Sequence, residues 1–262
     1  MDAQANEATV FKRILCGVDG TPESLVAVRQ ALRLQDENGS LLLAAAANLA
    51  RAAHAGMAAP HAAELLKHEA EGALDEARAI APSASSKLVD GEPVAVLLKQ
   101  AEAERVTLIA VGSHGRRRAA GLLLGTVAAR MLRDAPCSVL IAREARDDEA
   151  WPQTVLAGVD GSAESGAAFE VAQSVAERVG GSVRAIAATK DQLDREAARA
   201  IAADLEEVDG PAVTGLAAAS EPADLVVVGS RGLHGLKALG SVSERVAHQA
   251  RSSVLVVRPG QG

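Results

Sequence analysis

The chain has 262 residues, 48% of them hydrophobic and 23% charged, which suits two ordinary domains with buried cores and excludes a disordered chain. Only Phe11, Phe169 and Trp151 are aromatic and tyrosine is absent. The interior must therefore be aliphatic, and the ring platforms that stack single-stranded nucleic acid are missing. A net charge of -7 and a pI of about 5.4 argue against a general binder of phosphate backbones.

Before the first regular element, MDAQANEATVFKR is polar and lacks the order of a signal peptide. The longest apolar run, Leu41 to Ala47, is too short to span a bilayer. No membrane is expected as a partner, and a reducing cytoplasm is the expected compartment. Cys16 and Cys137 make no disulfide framework and read as small buried hydrophobes.

Arg13 to Val18 is a short apolar run read as a buried strand. Thr21-Pro22-Glu23 has the chemistry of a helix start: a hydroxyl cap, proline in the first turn and an acid beside it. Leu25, Val28 and Leu32 share a face of that helix, and Gly39 is read as its end. Leu41 to Ala47 reads as a strand, Ala62 to Ile80 as a helix stopped by Pro82, Lys87 to Val89 as a strand and Pro93 to Glu104 as a helix. Leu108 to Val111 follows as a strand, Val127 to Arg133 as a helix and Ser138 to Ala142 as a last strand. Strands separated by helices imply parallel β-α-β units, hence an α/β doubly wound open sheet.

The pattern then repeats. Ile14-Leu15-Cys16-Gly17-Val18-Asp19-Gly20-Thr21 returns as Val155-Leu156-Ala157-Gly158-Val159-Asp160-Gly161-Ser162. Val111-Gly112-Ser113-His114-Gly115 returns as Val228-Gly229-Ser230-Arg231-Gly232, Gly125-Thr126 as Gly240-Ser241, and Ser138-Val139-Leu140-Ile141 as Ser253-Val254-Leu255-Val256. The chain is two copies of one domain, 1–146 and 147–262, joined near Glu144 to Pro152. Asp19 and Asp90 lie 71 residues apart, but Asp160 and Asp209 only 49, so the second copy is trimmed. Its second helix is expected over about Leu193 to Leu205 and its third over about Pro211 to Ala219.

In an open parallel sheet, ligands bind beyond the carboxyl ends of the strands. Two segments end that way: Val18-Asp19-Gly20-Thr21, directly after Gly17, and Gly112-Ser113-His114-Gly115. The second leads to Gly125-Thr126-Val127, which opens a helix. Glycines let backbone N–H groups approach a phosphate, and a helix N-terminus adds unpaired donors and a positive dipole. The Thr126 hydroxyl can cap the helix or donate to a phosphate, and Asp19 is placed to accept from ribose hydroxyls. Equally, glycine-rich turns often only reverse the chain. Neither GxxxxGK[ST] nor GxGxxG occurs.

These residues resemble the universal stress protein family, whose ATP-binding members carry G-x2-G-x9-G-[ST] after the fourth strand and an Asp at the end of the first. Copy one has Gly112, Gly115, nine residues from Arg116 to Leu124, then Gly125-Thr126. The resemblance implies strand order 3-2-1-4-5 in each copy, and a cytoplasmic stress-linked role. It places ATP, with or without Mg, between the first and fourth strand loops, with the base near the end of the second strand around Ala47. It also implies that the last strands pair across an approximate twofold axis, so that one chain is an internal pseudo-dimer; a homodimer of chains is a further possibility.

Copy two keeps Asp160, Gly229 and Gly232, but only seven residues precede Gly240-Ser241. Losing two residues shifts the helix N-terminus relative to the first glycines, so its site is expected to be altered. Arg116, Arg117 and Arg118 either cover outer phosphates or form a solvated basic loop. His114 is a poor general base with Arg231 at the matching position. His54, His61, Glu64 and His68 read as exposed helix residues rather than a metal site, and Ser24, Ser113 and Ser230 lack a catalytic partner at recognisable spacing. Trp151 is expected to anchor the linker by packing. Two functions remain: an ATP-binding regulatory protein with at most slow hydrolysis and no catalytic residues, or a scaffold of the same fold without ATP or with another adenine nucleotide.

Overall fold

A computed structural model of the chain describes residues 11–52, 59–114, 124–191, 193–230 and 242–258. The first half runs β1 (Phe11–Gly17), α1 (Pro22–Leu34), β2 (Gln35–Ala47), α2 (Ala59–Ile80), β3 (Ser85–Asp90), α3 (Pro93–Ala103), β4 (Leu108–Gly112), α4 (Thr126–Asp134) and β5 (Ser138–Ala142). The second half repeats the series as β6 (Thr154–Gly158), α5 (Ala163–Val179), β7 (Ser182–Ala188), α6 (Arg195–Ile201), β8 (Glu206–Val208), α7 (Ala212–Ala219), β9 (Leu225–Gly229), α8 (Val242–Gln249) and β10 (Ser253–Val257).

The strands form one sheet in the order β3-β2-β1-β4-β5-β10-β9-β6-β7-β8. Each half is parallel within itself and has the order 3-2-1-4-5. The last strands of the two copies pair, as the resemblance implied, and this pairing joins the two half-sheets into one continuous sheet. β5 and β10 pair antiparallel, with Leu140 opposite Leu255, so neither leaves an open apolar edge at the centre. Both faces are covered. On one, α1, α2 and α5 bury Ile14, Leu43, Leu140 and Leu255; on the other, α3, α4, α7 and α8 bury Leu15, Ile109, Ile141 and Val256. Strands buried on both faces explain the unbroken aliphatic runs in the sequence.

The central seam is reciprocal. Arg143 N–H donates to Ser253 Oγ at 3.0 Å, and Arg258 N–H donates to Ser138 Oγ at 3.1 Å. The Arg143 guanidinium donates to the carbonyls of Ala247, in the last turn of α8, and of Ser252 beyond it, and that of Arg258 to Leu132 in the last turn of α4. Each half thus places a cation against the last-turn carbonyls of the other's last helix, where the dipole favours it. Burial lowers the Arg143 pKa to about 10. Trp151 is buried, and its indole N–H donates to the Asp224 carbonyl at 3.1 Å, tying the linker to the second half.

Two expectations need correction. α1 ends at Leu34, not Gly39. Gln35 leaves in an extended conformation, its Nε2 donates to Gly39 O at 2.7 Å, and Asn38 N–H donates to Asp36 Oδ1 at 3.0 Å. These local side-chain bonds compete with helix; Gly39 lies instead in an irregular stretch of β2, where β1 steps from Phe11 to Arg13 while β2 steps from Gln35 to Ser40. In the second half, α6 covers only Arg195–Ile201, shorter than expected. Asp194 caps it by accepting from Ala197 N–H, and Ala202 ends it in an extended conformation.

Candidate functional site

The site begins where β1 stops. Val18 N–H donates to Ala44 O at 2.9 Å and the chain then turns away, while β2 continues to Ala47 along β3. β2 therefore overhangs β1 and leaves a recess at the carboxyl end of the sheet. Asp19 sits at its rim. Its Oδ1 accepts from Thr21 N–H at 3.1 Å and from Thr21 Oγ at 2.6 Å. Thr21 Oγ in turn accepts from Ser24 N–H at 3.2 Å, capping α1. The carboxylate is thus held by the same turn that starts the helix.

β4 supplies the other wall. A Cβ at Gly112 would lie 2.7 Å from the Glu23 carbonyl carbon, and one at Gly229 would lie 2.5 Å from the Glu164 carbonyl oxygen. These glycines let the end of β4, or β9, meet the backbone of the first turn of α1, or α5. Close packing thus accounts for both independently of any ligand. Past residue 114, Gly125 N–H donates to Ser113 O at 2.7 Å, bringing the start of α4 back to the end of β4. Gly125 is the N-cap and offers no side-chain acceptor, whereas α1, α3, α5 and α6 are capped by Thr21, Glu92, Ser162 and Asp194. Thr126 is the first helical residue and is exposed, so its hydroxyl does not cap α4.

The result is a cleft of ≈ 350 Å³ whose walls include Gly17, Val18, Asp19, Gly112, His114, Gly125, Thr126 and Val127. Eight of the expected residues therefore share one cavity. Two others do not line it. Ser113 is buried with its Oγ 3.1 Å from His114 Nδ1, and Ala47 points into the core beneath α1 and α2. Successive side chains of a strand face opposite sides, so Ala44, Ala46 and then Asn48 meet the cleft instead. Sequence reading missed Asn48 and Arg51 in the turn after β2, and Leu66 and Glu69 on α2. The signal for Asn48 was its place as the first polar residue after a buried strand, at the carboxyl edge where ligands bind. Gly115 and Arg116 to Arg118 lie outside the described residues, as do His54, Arg231, Gly232, Gly240 and Ser241.

The second half differs. Asp160 Oδ1 holds Ser162 as Asp19 holds Thr21, with distances of 3.0 Å to N–H and 2.5 Å to Oγ. However, Asp194 N–H donates to Asp160 O at 3.1 Å, and a Cβ at Gly161 would sit 2.7 Å from Asp194 O. The shortened β7–α6 connection thus lies directly over the β6–α5 turn. The open groove beside Asp160 is lined by Ser162, Glu164, Leu193, Asp194 and Arg195, and does not include Gly229.

Residues outside the cleft that could carry other chemistry are placed as follows. Burial pushes the Cys137 thiol up to about 12 and the Cys16 thiol further, so neither is a ready nucleophile. His61, Glu64 and His68 are exposed on α2, and among the described residues no group of three or more His, Cys, Asp or Glu could hold a metal ion. No helix among the described residues is long and apolar enough to cross a membrane.

Comparison with known proteins agrees with this architecture. The model of the universal stress protein family matches residues 11–143 and 184–258. Universal stress protein Rv2623 of Mycobacterium tuberculosis is 31% identical over 211 residues, covering 69% of this chain and 70% of its own. Rv2005c of the same organism is 34% identical over 209 residues, covering 67% and 69%. The crystal structure of a universal stress protein from Archaeoglobus fulgidus superposes with a TM-score of 0.76 at 24% identity, covering 97% of this chain and 98% of that one. The chain belongs to the universal stress protein family.

Proposed function

We propose that the unit 1–146 binds an adenine nucleotide, ATP with or without Mg, and that the protein acts as a regulator in the cytoplasm rather than as an enzyme. The observation that carries this reading is that Asp19, Gly112 and the uncapped start of α4 line one cleft. An uncapped helix N-terminus offers several N–H donors and a favourable dipole to a phosphate. Asp19 is a fixed acceptor for ribose hydroxyls, and the apolar wall of Ala44, Ala46 and Leu97 suits the face of a base. The nucleotide would act by binding one conformation or partner-bound state more tightly than another.

For the unit 147–262 a second reading is favoured, a scaffold that has lost the nucleotide site. Its support is the Asp194 backbone packed over Gly161 and a groove that does not reach Gly229.

Calorimetric titration of the full chain with ATP tests both. One ATP per chain is expected. Asp19→Asn keeps an acceptor for Thr21 but removes the charge, and should weaken binding about tenfold. Asp160→Asn makes the same change in the second unit and should leave affinity within about twofold. Absence of binding by the parent protein, with no nucleotide released on denaturation, overturns the reading. Loss in Asp160→Asn alone reassigns the site to the second unit.

A further inference from the structure

We propose that the turn leaving β2 selects the base, with the Asn48 carboxamide reading the edge of adenine; this deepens the nucleotide reading and rests on it. The order of strands across the cleft is β4, β1, β2. The phosphate donors stand at β4 and α4 and the ribose acceptor Asp19 at β1, so the next element, two strand spacings or about 10 Å from β4, receives the base. That element ends in Asn48. Its main-chain carbonyl accepts from Arg51 N–H at 3.1 Å, and the next N–H, of Leu49, is anchored to Asp90 Oδ1 at 3.0 Å. The turn is therefore fixed by its backbone, and Asn48, half-buried, lines the cleft. Among the described residues no hydrogen bond uses that carboxamide.

A carboxamide presents one acceptor and one pair of donors side by side. Adenine matches it with an amino group beside a ring nitrogen, N6 next to N7. Guanine in the same pose sets two acceptors, O6 and N7, against it, so one of the two contacts becomes repulsive. No described aromatic ring other than the His114 imidazole lines the cleft, and His114 stands at the β4 end. Arg51, in the same turn, also lines the cleft, and a guanidinium can cover a ring face.

The test measures ATP and GTP affinities of the full chain for the parent, Asn48→Ala and Asn48→Asp. Because the fold uses the Asn48 backbone and not its side chain, both variants should keep the parent's melting temperature. The parent should prefer ATP by about tenfold or more. Asn48→Ala should bring the ratio towards unity, whereas Asn48→Asp, which can only accept, keeps a partner in the N6 amino group of adenine but faces two acceptors on guanine, and should retain the preference for ATP. A parent preference for ATP that survives unchanged in Asn48→Ala, or a shift towards GTP in Asn48→Asp, overturns the role of Asn48 and leaves the nucleotide site standing, as does a parent that binds the two equally. A parent that binds neither nucleotide overturns the site itself and this inference with it.

Discussion

Ser253 is the most informative position at the seam between the halves. It is 1% exposed, and its hydroxyl accepts from Arg143 N–H at 3.0 Å while donating to Gln30 Oε1 at 2.8 Å. Gln30 is equally buried, and its Nε2 donates to the Arg143 carbonyl at 2.9 Å. Ser253→Ala removes one oxygen and leaves two buried groups unpaired, the Arg143 N–H and the Gln30 Oε1. At about 1–3 kcal/mol for each orphaned group, softened by relaxation, the loss should be about 2–4 kcal/mol. Ser138 is the internal control. It occupies the matching place, 3% exposed, and accepts from Arg258 N–H at 3.1 Å; its hydroxyl's other bond is a long 3.4 Å contact to Arg258 O. Ser138→Ala should therefore cost about 1–2 kcal/mol. Urea unfolding followed by circular dichroism measures both, with tryptophan fluorescence of Trp151 checking that the transition is single. A Ser253→Ala loss below about 0.5 kcal/mol, or one smaller than that of Ser138→Ala, refutes the network.

Three further outcomes follow from local geometry. Gly112→Ala must push β4 from the first turn of α1, since its Cβ would lie 2.7 Å from Glu23 backbone; a loss of about 1–3 kcal/mol in urea is expected, together with weaker ATP binding. Trp151→Phe keeps much of the apolar bulk but leaves the Asp224 carbonyl without its indole donor, so about 1–2 kcal/mol should be lost in the same assay. In the folded state both thiols stay protonated past pH 9, whereas in the unfolded chain they ionise there. The folded state then binds more protons, so stability is full below about pH 9 and falls as pH rises. Between about pH 9 and 10 the slope should approach ~1.4 kcal/mol per pH unit for each thiol. Above that the Arg143 guanidinium, lowered to about 10, titrates in the opposite sense. Cys137→Ala should reduce the slope by nearly half in urea midpoints at pH 8.5, 9.5 and 10; an unchanged slope contradicts the burial argument.

Where local chemistry decided a feature, the sequence carried it well. β5 and β10 were bounded by short aliphatic runs, and the α1 start was announced by Thr21-Pro22-Glu23. The repeat of Asp19-Gly20-Thr21 as Asp160-Gly161-Ser162 marked a real structural duplicate, the same capped turn at both strand ends. Parity along β2 was not readable. In Leu41 to Ala47 both faces are buried, so no alternation of polar and apolar residues distinguished Ala47, which faces the core, from Ala46, which faces the cleft. Gly112 carried two readings with one letter, close approach to a ligand or close approach to α1, and only three-dimensional contacts expose the second. The Asp194 backbone over Gly161 was equally hidden, because it depends on where a shortened connection lands, which spacing alone does not fix.

The antiparallel join of β5 to β10 has a consequence for how the molecule meets its surroundings. All strands of one half run opposite to those of the other, so their carboxyl ends lie at opposite poles of the sheet. The Asp19 cavity and the Asp160 groove therefore face away from each other, and a partner seated over the first need not touch the second. The join also consumes, within a single polypeptide, the very borders through which separate copies could have paired. Covalent linkage fixes one of each half per molecule, and that fixed ratio lets the two poles differ in shape, as the Asp194 backbone packed over Gly161 at one of them shows.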